Sequence, residues 1–158
     1  MAAASTPSMI PLHIFRFKVE LTNQTLGKAA TGAATEMAFS ECTGLEATME
    51  PKTIKEGGRN YGAAQRAGSV TFATVILKRG VSLDRGMWTI FNQATSGGGY
   101  SLRLSVKITL LDGALKPIFA WQLTNAMPVK FKFADFNARG TEVGIEELHF
   151  VHEGLSAA

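Results

Sequence analysis

Three histidines and one pair of adjacent glutamates are the side chains in this sequence best suited to bind a metal ion or to transfer protons. His13 lies near the N-terminus, and His149 and His152 are three residues apart. That spacing puts two side chains on opposite faces of a β-strand, whereas the ligands of one metal ion must converge. Glu146 and Glu147 are adjacent, so a strand points them apart as well. The sequence therefore predicts neither a metal site nor an acid–base pair.

The single cysteine, Cys42, has no partner for an internal disulfide. It lies in an alternating apolar segment, a context typical of a small buried side chain rather than of a catalytic thiol. The sequence has neither the Gly-x-Ser-x-Gly turn of many hydrolases nor the His-Glu-x-x-His helix of zinc proteases. We therefore predict that the protein is not an enzyme, has no catalytic residues and binds no cofactor.

Two glycine-rich stretches resemble phosphate-binding loops only in composition. Gly27-Lys28 lacks the upstream glycine and the following Ser or Thr of such a loop, and Gly57 to Gly68 leads into a strand pattern rather than a helix. A flexible or interface loop is the favoured interpretation of both.

Lys130 and Lys132 alternate with Phe131 and Phe133. This pattern is typical of a half-buried strand, and no basic patch surrounds it. The net charge of +3 is modest. Nucleic-acid binding is therefore not predicted.

The composition suits one soluble domain over residues 1–158, since 46% of the residues are hydrophobic and 18% are charged. Met1 to Met9 are small and polar, and we expect them to be flexible. They lack the charged start and apolar core of a secretion signal, so we expect synthesis in the cytoplasm without export by the general pathway. No apolar stretch has the length of a membrane-spanning helix.

Alternation of apolar and polar residues is the dominant pattern and predicts a mainly β protein. The chain between the predicted strands is rich in turn-forming residues, as in Asp112-Gly113, and Thr43-Gly44 predicts a bulge or bend. The predicted strands are Ile14 to Leu21, Met37 to Cys42, Leu45 to Glu56 with an interruption at Pro51, Ser69 to Lys78, Tyr100 to Leu111, Pro117 to Thr124, Met127 to Ala134 and Thr141 to His152.

Apolar residues at helical spacing predict one α-helix, from Leu83 to Thr95. Ser82 is placed to cap it, Asp84 suits its first turn, and three glycines from Gly97 end it. The apolar stripe comprises Leu83, Met87, Trp88, Phe91 and Ala94. We expect the helix to dock through Met87, Trp88 and Phe91. Many strands with one late helix predict an antiparallel β-sandwich or barrel with one peripheral α-helix.

Six local strings, taken in order, resemble the tail-tube proteins of contractile phages and of phage-like extracellular contractile injection systems. The resemblance covers Leu12 to Leu155, and the Ala- and Thr-rich stretch Leu26 to Thr35 departs from the family pattern. The strings are Phe15-Arg16-Phe17, Phe39 to Glu46, Ile54 to Asn60 with its Glu-Gly-Gly loop, Leu77 to Gly80, Trp121 to Pro128 with its Asn-Ala and Pro, and the closing strand Ile145 to Leu155.

The resemblance implies a structural inner-tube subunit. Six protomers would close a ring, and rings would stack into a hollow tube inside a contractile sheath that drives the tube through a target envelope. The implied partners are further copies of the chain, the sheath protein, baseplate or spike and terminator proteins, and effector cargo in the lumen. The particle would be assembled in a bacterial cytoplasm and then be released or be part of a phage.

Two sets of residues are predicted to serve this assembly. Glycines allow close approach of backbones, so Leu45 to Glu56 and the loop Glu56 to Gly68 are predicted to contact neighbouring protomers. The interface residues expected there are Glu56, Gly57, Gly58, Arg59 and Asn60. The resemblance assigns the lumen to two hairpins, here Leu45 to Glu56 and Pro117 to Ala134. The polar side chains that alternation makes available to line it are Glu46, Thr48, Glu50, Gln122, Thr124, Lys130 and Lys132.

Three other functions remain as alternatives. A type VI secretion tube protein is similar in fold, although its usual sequence strings differ from those quoted. A ligand-binding β-barrel module would have an apolar cavity with a few convergent polar groups. A hydrolase or transferase would need a catalytic motif that the sequence does not show.

Overall fold

The computed structural model describes residues 12–24, 39–96 and 102–158. Met1 to Met9, the stretch Leu26 to Thr35 and the glycines that follow the helix lie outside the described residues. Within the described residues the chain forms eleven strands and one helix. The elements are β1 (Phe17–Asn23), β2 (Glu41–Thr43), β3 (Ala47–Met49), β4 (Lys52–Ile54), β5 (Ala64–Arg66), β6 (Val70–Phe72), β7 (Val75–Gly80), α1 (Gly86–Thr95), β8 (Leu104–Leu111), β9 (Pro117–Lys132), β10 (Ile145–Val151) and β11 (Gly154–Ala157).

Two sheets share the long strand β9. The front sheet consists of β1, β8, the first half of β9 and β11, in that order. The back sheet consists of the second half of β9, then β10, β7 and β2. Every one of these pairs is antiparallel. The predicted fold class, an antiparallel β-sandwich or barrel with one helix, is confirmed.

β9 passes from the front sheet to the back sheet at Asn125. This residue has a positive φ of 51°, which Asn tolerates better than most residues. Its side-chain amide donates to the carboxylate of Glu153 at 2.8 Å, and the Glu153 N–H donates to the Thr124 carbonyl at 3.0 Å. β9 pairs with β8 before this bend and with β10 directly after it. The chain predicted as two strands, Pro117 to Thr124 and Met127 to Ala134, is therefore one bent strand.

One apolar core lies between the sheets and under the helix. Alternate residues of each strand enter it, because successive side chains of a strand point to opposite faces. Its fully buried members include Val19, Val75, Leu77, Met87, Leu104, Val106, Leu123, Leu148 and Phe150. Within the described parts of the chain, no helix has the length and apolarity needed to cross a bilayer.

Some strand boundaries differ from the predictions. β1 begins at Phe17, and Phe15, predicted to face inward, is exposed. The predicted strand Ser69 to Lys78 is divided into β6 and β7. The bend predicted at Thr43-Gly44 is present: Gly44 has a φ of 88°, and a Cβ there would meet the Thr74 carbonyl oxygen at 2.0 Å. Only glycine allows the chain to turn so close to the break between β6 and β7.

The helix is shorter than predicted and begins at Gly86 rather than at Leu83. Ser82 does not cap it, because the N-cap position is held by Arg85, which makes no capping bond with its side chain. Instead, Asp84 Oδ1 accepts a hydrogen bond from the Gly86 N–H at 3.0 Å.

The docking face of the helix also differs. Met87 is fully buried as predicted, but its buried companion is Ile90, which was not predicted. Trp88 is 48% exposed, and Phe91 is half-buried. Leu83 lies before the helix and is fully exposed.

Candidate assembly surfaces

A two-stranded ribbon extends from the core between β2 and β7. The ribbon consists of the strand pairs β3–β6 and β4–β5, and within the described residues neither pair joins another strand. The predicted segment Leu45 to Glu56 forms one side of the ribbon, with β3 and β4. The predicted loop Glu56 to Gly68 contains a strand, β5, which lacks any apolar periodicity and is held by backbone pairing with β4.

Apolar side chains on this ribbon have little cover. Met49, Ile54, Tyr61 and Val70 are all exposed. A solitary two-stranded ribbon is marginally stable in water, so these side chains need a partner from outside the described protomer. The ribbon is therefore the first candidate assembly surface.

The five predicted interface residues lie together at the ribbon tip. Glu56, Gly57, Gly58, Arg59 and Asn60 are all exposed. Arg59 forms a 3.2 Å ion pair with Glu56, and Gly58 turns the chain with a φ of 82°. A Cβ at Gly57 or Gly58 would meet nothing within 4 Å. Neither glycine is required by packing inside the protomer.

The seven predicted lumen residues occupy three different surfaces. Glu46, Thr48 and Glu50 lie exposed along the ribbon. Gln122 and Thr124 lie on the outer face of the front sheet, and Lys130 and Lys132 lie on the outer face of the back sheet. Since the core lies between the two sheets, their outer faces point in opposite directions. The structure therefore does not bring these seven residues onto one surface of the protomer.

The central part of the outer face of the front sheet is polar. Its cross-strand neighbours include Glu20 opposite Lys107 and Lys107 opposite Gln122. Lys18 Nζ lies 2.7 Å from Glu20 Oε1, and Gln122 Nε2 donates to Ser105 Oγ at 2.9 Å. This part of the face carries both signs of charge, and the large apolar side chains Leu111 and Ile118 lie at one end of it.

The outer face of the back sheet carries a row of alternating charges across four strands. Glu41, Lys78, Glu147 and Lys132 are successive partners in register. Such opposite pairs each stabilise a sheet by about 0.2 to 1 kcal/mol. The pKa of Glu147 is lowered, mainly by a 3.1 Å hydrogen bond with His149 and further by the charges of Lys132 and Lys78.

A buried ion pair fastens the helix to the back sheet. Arg79 donates from Nε to Glu146, and both side chains are almost inaccessible to solvent. The other guanidinium nitrogens of Arg79 reach Asp84, at 3.1 Å to its carboxylate and 2.8 Å to its carbonyl. The sequence pattern did not indicate this pairing, because Arg79 follows the predicted strand Ser69 to Lys78 and Glu146 is 67 residues further along the chain.

Nothing in the described part of the chain forms a reactive site. No group of three His, Cys, Asp or Glu side chains there is placed to hold a metal ion. Burial and the neighbouring Glu41 raise the pKa of Cys42 to about 11, so its thiol is protonated and a poor nucleophile at neutral pH. His152 is buried against the Phe72 ring and bonds the Gly154 carbonyl.

Comparisons with known structures agree with the fold. The chain is 24% identical to a protein in the anti-feeding prophage baseplate, with a TM-score of 0.81 over 96% of this chain and 97% of that one. It is 15% identical to a protein of the sheath–tube complex of the extracellular contractile injection system PVC, with a TM-score of 0.77 over 95% and 93%. An Hcp protein is more distant, at 11% identity and a TM-score of 0.55 over 90% and 95%.

The sequence comparison identifies the family. No curated protein matches the chain. The family model described as T4-like virus tail tube protein gp19 matches residues 13–156, which is almost the entire chain. Its members are structural tube proteins and not enzymes. The chain therefore belongs to the T4-like tail tube protein family of contractile phage tails and phage-like injection particles.

Proposed function

We propose that this chain is the inner-tube subunit of a contractile injection particle, and that all of residues 1–158 form one tail-tube domain. Six copies close a ring, and rings stack into a hollow tube inside a contractile sheath. The observation that carries the proposal is the ribbon, which pairs with no further strand among the described residues and exposes apolar side chains, in a chain whose family builds tubes.

The free edge of the front sheet supports ring formation. Among the described residues, β1 pairs with β8 and with no other strand. A seven-residue edge is long enough to pair with a strand of another molecule. Pairing of one edge with a different edge of the next copy is head-to-tail, and it closes a ring when the rotation between copies closes.

The expected partners come from the structural relatives. These relatives come from a baseplate, a sheath–tube complex, a tube-terminating cap and a sheath/tube terminator. We propose that this chain likewise contacts a sheath protein, a baseplate or spike protein and a terminator. Effector cargo in the lumen, and a particle that is released or is phage-borne, are parts of the same proposal.

The test is assembly of the purified protein. We expect analytical ultracentrifugation to detect hexamers, and negative-stain electron microscopy to show rings or tubes of uniform width, alone or with the sheath and baseplate proteins from the same gene cluster. Only monomers at every concentration and salt level, with no tube in the presence of those partners, would exclude the proposal.

A further inference from the structure

The apolar inner face of the front sheet extends beyond the back sheet that covers it. At the end where β1 and β9 begin, this leaves an open groove of about 390 Å³ beside Cys42 and Leu45. Its walls are Phe17, Ile108, Leu110, Phe119 and Trp121. Ile14, at its mouth, is 80% exposed. Within the described residues, nothing fills the groove.

A second apolar surface lies at the other end of β9. We call it the aromatic end, and it consists of Leu83, Trp88, Phe131, Phe133 and Phe136. Trp88 packs edge-on against Phe131, with ring centroids 5.5 Å apart, and Phe133 contacts Phe136 at 5.6 Å. Phe136 is 93% exposed, and burying one such ring removes about 150 to 250 Å² from water.

The two surfaces are placed for head-to-tail contact. One is an open groove, and the other presents the exposed ring of Phe136 beside a second pocket of about 380 Å³ lined by Leu83, Trp88, Phe131 and Phe133. They lie at opposite ends of β9, and also of β7, since Leu45 extends past the start of β7 while Val81 follows its end. Two unlike patches at opposite ends of a protomer join copies heterologously, the arrangement that closes into rings or extends into filaments.

The loop that carries Phe136 and the segments beside the groove carry opposite net charges. The loop of residues 133–144, which carries Phe136, contains Asp135 and Glu142 against Arg139, a net negative charge. The segments 12–16 and 112–116, which border the groove, contain Arg16 and Lys116 against one aspartate, a net positive charge. That aspartate already accepts hydrogen bonds from its own turn. Opposite charges at the rim steer association and fix its register.

We propose that the aromatic end of one protomer docks in the apolar groove of the next copy, and that this contact joins neighbouring subunits of the tube. The inference rests on the proposed function, because it identifies the surfaces through which the tube assembles. The ring of Phe136 enters the groove near Ile14 and Phe119, and Trp88 becomes covered at the rim.

The first experiment measures chemical proximity between copies. In a Cys42→Ala background, cysteines replace Phe136 and Ile14, both exposed and hence unimportant for the core. Assembled protein is treated with a short bismaleimide and separated under denaturing conditions. The double variant should give a ladder that extends beyond the dimer, because each copy links to two neighbours. Each single variant, as a matched control, should give no product larger than a dimer.

The outcomes separate the two proposals. Tubes seen by electron microscopy without a ladder beyond the dimer would overturn the docking contact and leave the tube function standing. Failure of the unmodified chain to assemble under any condition would overturn both. A ladder beyond the dimer, in tubes of normal width, supports the contact.

The second experiment uses the tryptophans that are already present at the contact, and each substitution keeps an aromatic ring. The two tryptophans of the chain, Trp88 and Trp121, lie one on each surface. Assembly should shift their fluorescence to the blue and reduce quenching by acrylamide. Trp88→Phe and Trp121→Phe each leave one reporter, and both reporters should become protected together. Quenching that stays at the monomer level in assembled tubes would contradict the proposal.

Discussion

At the scale of single residues, Arg79 links three parts of the protomer. Its guanidinium joins Glu146 of β10 to Asp84, which precedes the helix. Removing one partner from a buried ion pair leaves the other charge without compensation. The ion pair therefore fixes where the helix starts on the sheet, a position that the sequence pattern placed three residues too early.

We expect Arg79→Met to lower the free energy of unfolding by about 3 kcal/mol or more, because it leaves the buried Glu146 carboxylate without a compensating charge. Urea unfolding of the monomeric protein measures the loss. The matched control is Lys18→Met, which breaks a partly exposed pair with Glu20 and should cost less than about 1 kcal/mol. Equal losses in the two variants would contradict the structural role of Arg79.

The lowered pKa of Glu147 predicts a pH dependence of stability. In the unfolded chain the Glu147 carboxylate binds a proton at about pH 4.3, which is higher than in the folded state. The contribution of Glu147 to the free energy of unfolding is therefore fully present above that pH. It is lost as the pH falls through the lower pKa of the folded state. We expect Glu147→Gln to reduce the acid-induced loss of unfolding free energy below about pH 4.3. Urea titrations across this range measure it.

The hydrogen bond from His149 is the main cause of that lowered pKa. We therefore expect His149→Gln to weaken the same part of the pH dependence. If both variants kept the full acid dependence of the unmodified chain, other carboxylates would be responsible for it.

At the scale of elements, the helix shows what the sequence could and could not determine. Apolar spacing correctly indicated one helix near residue 90 and the burial of Met87. It does not distinguish Ile90 from Trp88 as the inward neighbour, because both lie close to the same stripe. The choice depends on Phe131, a residue distant in sequence, which supports the Trp88 ring at the protomer surface.

The helix makes a direct prediction about stability. Ile90→Ala should cost about 2 to 5 kcal/mol, because Ile90 is buried in the core. Trp88→Ala should cost less, about 1 to 2 kcal/mol, since almost half of the ring is in solvent. Thermal and urea unfolding of the monomer rank the two variants. The reverse order would place Trp88, and not Ile90, in the core.

Strand prediction failed where long-range pairing decides the outcome. Alternation identified the strands of both sheets except β11, which lies beyond the last predicted strand. It could not show that β9 continues through Asn125, because that continuity depends on partners in β8, β10 and β11. Nor could it find β5, whose residues show no apolar pattern. Among the predicted site residues, the tip of the ribbon is one cluster, whereas the lumen residues are dispersed over three surfaces that local sequence does not distinguish.

The ribbon tip carries its own prediction. Replacing Gly57 and Gly58 together by Val should reduce assembly more than it lowers monomer stability, since neither Cβ would meet another atom within 4 Å. The left-handed backbone at Gly58 costs a Val about 1 to 2 kcal/mol, and this strain sets the expected loss of monomer stability. Sedimentation and thermal melting compare the two effects. Gly57→Ala is the mild control, and parallel loss of stability and assembly would indicate a folding role instead.

At the scale of the whole molecule, the opposed outer faces of the sheets constrain how a protomer is oriented in a tube. A conduit must not bind its cargo, so its wall should be polar, mixed in charge and free of apolar patches. The front face meets this condition around Lys18, Glu20, Lys107 and Gln122, and its large apolar side chains, Leu111 and Ile118, lie only at one end. The back face includes Ile76 and a half-exposed Val151 beside its charges.

We therefore predict that the front face lines the lumen, so that Gln122 and Thr124 point inward and Lys130 and Lys132 point toward the sheath. Single cysteines at Gln122 and at Lys130, each in a Cys42→Ala background, test this in assembled tubes without a sheath. A small maleimide should label both sites, whereas a maleimide attached to a folded protein too wide for the channel should label only Cys at position 130. Lys130→Gln should then alter sheath binding and leave tube assembly intact, while Lys107→Gln should alter the loading of charged cargo. Protection of position 130 with free access at position 122 would assign the lumen to the back face, because the core between the two sheets prevents both from facing one channel.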